Sequence, residues 1–194
     1  MILSNLKDSI NFAVESINRT PVREHNGVRY QIFENFFDIS FLKKLEQIED
    51  TDVKLELLEM QEKQNRRLVS YAEPVSKNLQ VFFHSSKIIN ALKKKFNCVS
   101  LVPKTTDMWF DYKEYQIKPH IDEGYQLQLQ IYLNNEIQPP TAFYEKLNGI
   151  YNVFDSAEYK SNYGYCLYNS GPSWHGMTDK VISGKRKSVF ARFE

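Results

Sequence analysis

Residues Leu127-Gln128-Leu129-Gln130-Ile131-Tyr132-Leu133 alternate without a break, aliphatic at the odd positions and polar or hydroxylated at the even ones. Side chains of a strand point to opposite faces with period two, so this stretch predicts a strand with one apolar and one polar face. Two glutamines and a tyrosine facing inward do not suit a plain sandwich core. They suit a barrel-like sheet whose interior holds a polar ligand. The β signal extends outward from here: residues 165–168 follow Gly164, and residues 188–193 form a further run close to the end of the sequence.

Upstream of about residue 105 the period becomes helical. Phe41, Leu42, Leu45 and Ile48 follow Asp38 or Ser40 as a cap, and Leu55 and Leu58 continue the pattern. Ile88, Ile89, Leu92 and Phe96 follow Ser85 and Ser86 in the same way, and Lys93, Lys94 and Lys95 complement the dipole at that helix's end. VRYQIFENFF, residues 28–37, reads as an early strand feeding the first helix. The expected class is α+β in one domain over 1–194. Residues 1–104 are mainly helical support with an early strand, and 105–194 form a β-rich half.

Composition narrows the function classes. The 194 residues carry 25 Lys plus Arg against 24 Asp plus Glu, so no basic surplus advertises nucleic acid or an anionic membrane. Cys98 and Cys166 are too few for a disulfide framework, and Cys166 reads as a small buried residue. No apolar run approaches the roughly 20 residues of a membrane span. The opening MILSNLKDSINF lacks a basic segment followed by a continuous apolar one, so the cytoplasm is the expected compartment. Nothing in the sequence fixes an oligomeric state.

Four histidines limit the candidates for metal chemistry: His25, His84, His120 and His175. His120-Ile121-Asp122 puts an imidazole and a carboxylate two residues apart, on one face if the segment is a strand. His175, beside Trp174, would complete a two-His-one-carboxylate set with open positions opposite, the arrangement of non-haem Fe(II) sites that use dioxygen. The bland alternatives are a strand-edge ion pair for His120 and Asp122 and a loop histidine for His175. His25 and His84 lack metal-like spacing. Arg186 and Ser188 share a strand face and together can hold a carboxylate. Lys180, Lys185 and Lys187 surround Arg186; Lys185 and Lys187 are rival carboxylate partners, although alternation leaves both outward.

HID at 120–122, SGPSWHGM at 170–177 and SGKRKSVFARF at 183–193 together resemble the Fe(II)- and 2-oxoglutarate-dependent dioxygenases, in particular the prolyl-4-hydroxylase-like branch of bacteria and phages. The resemblance covers about residues 105–194. It implies a double-stranded β-helix, or jelly-roll, with the N-terminal helices packed on its outside. It implies His120, Asp122 and His175 as iron ligands, Arg186 on the distal carboxylate of 2-oxoglutarate, and Ser188 assisting. Tyr132 and Tyr112 match positions of cosubstrate-contacting or pocket-lining tyrosines. The implied cofactors are Fe(II), 2-oxoglutarate as cosubstrate, O2 and, as an optional reductant, ascorbate. The implied reaction is hydroxylation of an unactivated C–H bond, on a prolyl or other protein side chain or on a small molecule. Two rivals stand beside it: an alkylated-nucleic-acid demethylase of the same superfamily, which needs a basic groove, and a non-catalytic jelly-roll binding module. Pro139-Pro140 before Thr141 departs from the Gly-Gly that many relatives carry.

Overall fold

In a computed structural model, described over residues 6–50, 55–57, 66–69, 74–113, 115–169, 171–178 and 182–194, the alternating stretch is buried on both faces. Each face therefore needs its own cover, and the chain supplies helices for one and a second sheet for the other. The elements run α1 (Leu6–Arg19), β1 (Arg23–His25), β2 (Val28–Phe33), α2 (Ile39–Glu46), β3 (Leu55–Leu57), β4 (Arg66–Val69), α3 (Pro74–Phe83) and α4 (Ser86–Phe96). There follow β5 (Pro103–Asp111), β6 (Leu127–Tyr132), β7 (Thr141–Leu147), β8 (Ile150–Ala157), β9 (Gly164–Tyr168), β10 (Trp174–Met177) and β11 (Arg186–Phe193). The larger antiparallel sheet has the order β1-β2-β9-β6-β11-β5-β4-β3, and the smaller one the order β10-β7-β8. The two sheets face each other as a jelly-roll without closing into a barrel.

Leu127, Leu129, Ile131, Val189, Ala191 and Phe193 turn to the helices. There they meet a phenylalanine cluster in which Phe82 stacks on Phe41 at 4.9 Å and Phe37 and Phe83 present edges to Phe82 at 5.5 and 5.0 Å. Such pairs add to the apolar area they remove from water. Asp38 caps α2, accepting from the amides of Ser40 and Phe41 at 2.9 and 3.0 Å. Ser85 caps α4, which ends on Asn97 in the left-handed conformation.

Several expectations shift. The helix begun at Phe41 stops at Glu46, and Leu55 belongs to β3, paired with β4, while Leu58 lies outside the described residues. The early strand is shorter, Val28–Phe33, because the buried Asn162 side chain takes the amides of Phe36 and Phe37 and donates to the Phe37 carbonyl, holding that segment out of the sheet. The first hundred residues are also more than helical support. β1 and β2 flank the larger sheet on one side through β9, and β3 and β4 on the other through β5. Among the described residues no helix is long and apolar enough to cross a membrane.

Phe82→Ala should cost about 3–5 kcal/mol of unfolding free energy, read by urea denaturation, because a large ring leaves a void where three aromatic neighbours cannot collapse. A loss below about 1 kcal/mol would show that the helical layer does not fold with the sheet.

Candidate metal centre

The polar face of β6 looks across to β10, and the first functional groups meet there. His175 lies on β10, and an isolated antiparallel bridge adds His120 to that strand's free edge. The bridge consists of two backbone hydrogen bonds, His120 N to His175 O and His175 N to His120 O, each 2.9 Å. The strand expected around His120 is thus reduced to a single bridge, followed by one further bond from Met177 N to Ile117 O at 2.9 Å, and Asp122 stands in the loop beyond. Asn169 fixes that loop, donating to the carbonyls of Asp122 and Tyr125 at 3.3 and 3.0 Å and accepting from Ser173 Oγ at 2.8 Å.

Both imidazoles are oriented by one device, a bond to the carbonyl two residues earlier. His120 Nδ1 donates to Lys118 O at 2.9 Å and His175 Nδ1 to Ser173 O at 3.0 Å. With the Nδ1 hydrogens committed, each Nε2 presents a lone pair, that of His175 accepting from the Gln128 amide at 2.9 Å. The two Nε2 atoms stand 3.5 Å from Oδ1 and Oδ2 of Asp122, and the ligand atoms of all three residues lie within 4.8 Å of one another. Three acceptors turned on one point repel unless a cation lies between them, so the donor set fits a divalent metal with two nitrogen ligands and one oxygen ligand. Burial raises the Asp122 pKa, and when the two imidazoles carry a second proton their hydrogen bonds and charge outweigh it and hold the carboxyl far below its ordinary range.

The same cleft, about 540 Å³ including its mouth, is lined by Arg186. That guanidinium is 3% exposed and lies over the rings of Tyr132 and Tyr159 at 5.4 and 4.8 Å, with its Nε buried and lacking a hydrogen-bond partner. A buried cation with an unused donor edge fits an incoming carboxylate. Asp111, on β5, faces Arg186 across the strand pairing and also lines the cleft. Ser188 shares the Arg186 face but is bonded from Gln130 Nε2 at 2.9 Å, and Tyr165 donates to the other end of that glutamine at 3.0 Å. Tyr132 gives its hydroxyl to Thr141 at 2.6 Å and forms a floor under Arg186.

Two expectations are corrected. Tyr112 is not brought to the cleft: it packs on the helix-side core and donates its hydroxyl to Asp50. Lys187 does leave the Arg186 face, but it is not outward in the sense of solvated. It is 3% exposed, its ammonium taken by the carbonyls of Glu46, the last residue of α2, and of Ile48 just beyond, and burial pushes its pKa down. Lys185 pairs with Glu49 and Asp50 at 2.6 and 3.5 Å, so both rival lysines are engaged elsewhere, while Lys180 lies outside the described residues. His25 stacks on Phe154 and His84 stands at the end of α3, both apart from the centre. Sequence reasoning missed Asn169, Ser173 and Asp111. Only Gln128 and Gln130 left a trace, as polar residues on an inward face.

Gly176, next to His175, has no room for a side chain. A Cβ there would stand 2.8 Å from the carbonyl oxygen of Lys118, the atom that orients His120, and 3.0 Å from that of Ile117. Gly176→Ala should push the two ligand segments apart and lower divalent-metal affinity about 10- to 100-fold in calorimetric titration with Co²⁺. Unchanged affinity in a folded variant would show that this close approach does not set the site.

No protein-family model and no curated protein matches the sequence. Solved structures do match the fold. An oxidoreductase of the 2OG-Fe(II) oxygenase family from Burkholderia pseudomallei superposes with a TM-score of 0.64 at 10% identity, over 99% of this chain and 91% of its own. A Pseudomonas putida prolyl-4-hydroxylase gives 0.61 at 11% identity, over 95% and 98% of the two chains. HygX from Streptomyces hygroscopicus, solved with nickel, 2-oxoglutarate and hygromycin B, gives 0.61 at 12%, over 84% and 82%. Similarity this low in identity and this broad in coverage speaks to architecture. The chain has the jelly-roll fold shared by these 2OG-Fe(II) oxygenases.

Proposed function

We propose that the protein is an Fe(II)- and 2-oxoglutarate-dependent oxygenase that hydroxylates an unactivated C–H bond. One observation carries the reading: His120 Nε2, His175 Nε2 and the Asp122 carboxylate converge in the same cleft that buried Arg186 lines. The fold shared with the oxygenases supports it.

When bound, Fe(II) with 2-oxoglutarate and O2 supplies the oxidising chemistry, with succinate and CO2 as coproducts. The chain's own residues bind and orient. His120, Asp122 and His175 would hold the metal. Lys118 O and Ser173 O hold the two imidazoles in the ligating tautomer. Arg186, on its tyrosine floor, would take the distal carboxylate of 2-oxoglutarate, and the Gln130–Ser188–Tyr165 chain keeps the adjoining wall in place. Trp109, Phe190 and Met177 add apolar surface to the cleft lining. A prolyl or other protein side chain is the first substrate class to screen. HygX bound to hygromycin B puts a small polar molecule beside it.

The test is turnover of 2-oxoglutarate to succinate with Fe(II) and O2. Asp122→Ala and His175→Ala should abolish it, and unchanged succinate formation by either variant would sink the metal assignment. Arg186→Ala should weaken 2-oxoglutarate binding about 10- to 100-fold, the equivalent of a lost charged hydrogen bond. Unaltered affinity would remove Arg186 from the role.

A further inference from the structure

Gln128 stands in an unusual relation to the metal centre. Its side chain is fully buried on the polar face of β6, and its amide Nε2 lies 2.9 Å from His175 Nε2. Because His175 Nδ1 already donates to Ser173 O, the contact has one polarity: the amide donates and the Nε2 lone pair accepts. That lone pair is the one a metal requires. The other end of the carboxamide, Oε1, is buried without a hydrogen-bond partner. A metal arriving at His175 must displace the amide, and a displaced N–H donor in a dry site needs a new acceptor.

We propose that Gln128 is a positioning residue with two settings: without metal its amide closes the His175 lone pair, and with metal bound the released amide donates to a carboxylate oxygen of 2-oxoglutarate. The proposal rests on the oxygenase reading and deepens it, assigning the ordered loading of metal and then cosubstrate to one side chain. The first setting is a competition. Metal binding breaks a buried hydrogen bond, so the free site is protected from adventitious cations at some cost in affinity. The second setting is cooperative, since only the metal-loaded protein offers cosubstrate the amide donor. The Asp122 carboxylate is the one competing acceptor the cluster supplies, and cosubstrate affinity separates the two.

The isosteric Gln128→Met removes the donor at nearly constant volume. Co²⁺ titration should then show affinity raised about fivefold, the value of one buried hydrogen bond. Affinity of the Co²⁺-loaded protein for 2-oxoglutarate should fall by about the same factor. The visible Co²⁺ absorption change on adding 2-oxoglutarate should differ from the wild type. Gln128→Leu also removes the donor and adds no charge, and serves where Met impairs folding: it too should bind Co²⁺ more tightly and 2-oxoglutarate more weakly. A purely structural role predicts the opposite sign for the metal, looser binding in both variants, and that result overturns the proposal. Tighter metal with unchanged 2-oxoglutarate affinity overturns the second setting, placing the amide on Asp122. Failure of the wild type itself to bind Co²⁺ and 2-oxoglutarate removes the oxygenase reading and this inference together. Normal wild-type binding with unaltered variants removes this inference alone.

Discussion

Two backbone hydrogen bonds between His120 and His175 hold the functional centre together. They join segments 55 residues apart in sequence into one register, so that both imidazoles emerge on the same side. A slip by one residue would turn either ring to the opposite face and dissolve the cluster. Much of the surrounding structure protects this register. Gly176 lets the Lys118 carbonyl come close, that carbonyl orients His120, and Asn169 ties the Asp122 loop to Ser173, whose carbonyl orients His175. Backbone oxygens set both ring tautomers, an arrangement that side-chain substitution disturbs only indirectly.

The cleft sets an acidic residue across from each of its two arginines. Arg186 rests on Tyr132 and Tyr159 with Asp111 opposite it in the strand pairing, and Arg192 bonds Asp107 at 3.1 Å while lying near Tyr125 and Phe190. Aromatic faces stabilise a guanidinium without occupying its hydrogen-bond donors, leaving those donors for a ligand. The same β11 that presents Arg186 and Ser188 to the cleft turns Lys187 the other way, to the carbonyls at the end of α2. One strand thus fastens the helical layer on one side and serves the cleft on the other.

Much of this was legible in the sequence because it is periodic. Alternation in residues 127–133 and the run at 188–193 marked the two central strands, strand spacing sorted Arg186 from Lys187, and the spacing of His120, Asp122 and His175 marked the cluster. What stayed hidden depends on contacts between distant residues. The shift of Leu55 from a helix to β3 reflects pairing with β4, which overrides a local helical pattern. Tyr112 lay eight residues before His120 yet turns to Asp50 on the helix side. Lys187 reads as a solvated charge, and only the fold brings three-dimensional neighbours that bury it. Asn169 and Ser173 act through hydrogen bonds that no sequence spacing encodes.

In the proposed function one cleft binds a divalent metal through His120, Asp122 and His175 and a dicarboxylate through Arg186. A crystal structure grown with Mn²⁺ and 2-oxoglutarate under anaerobic conditions tests it most directly. An anomalous peak should lie within bonding reach of the two Nε2 atoms and the Asp122 carboxylate, with the distal carboxylate of 2-oxoglutarate on Arg186. Metal held through other residues, or 2-oxoglutarate seated away from Arg186, would contradict it.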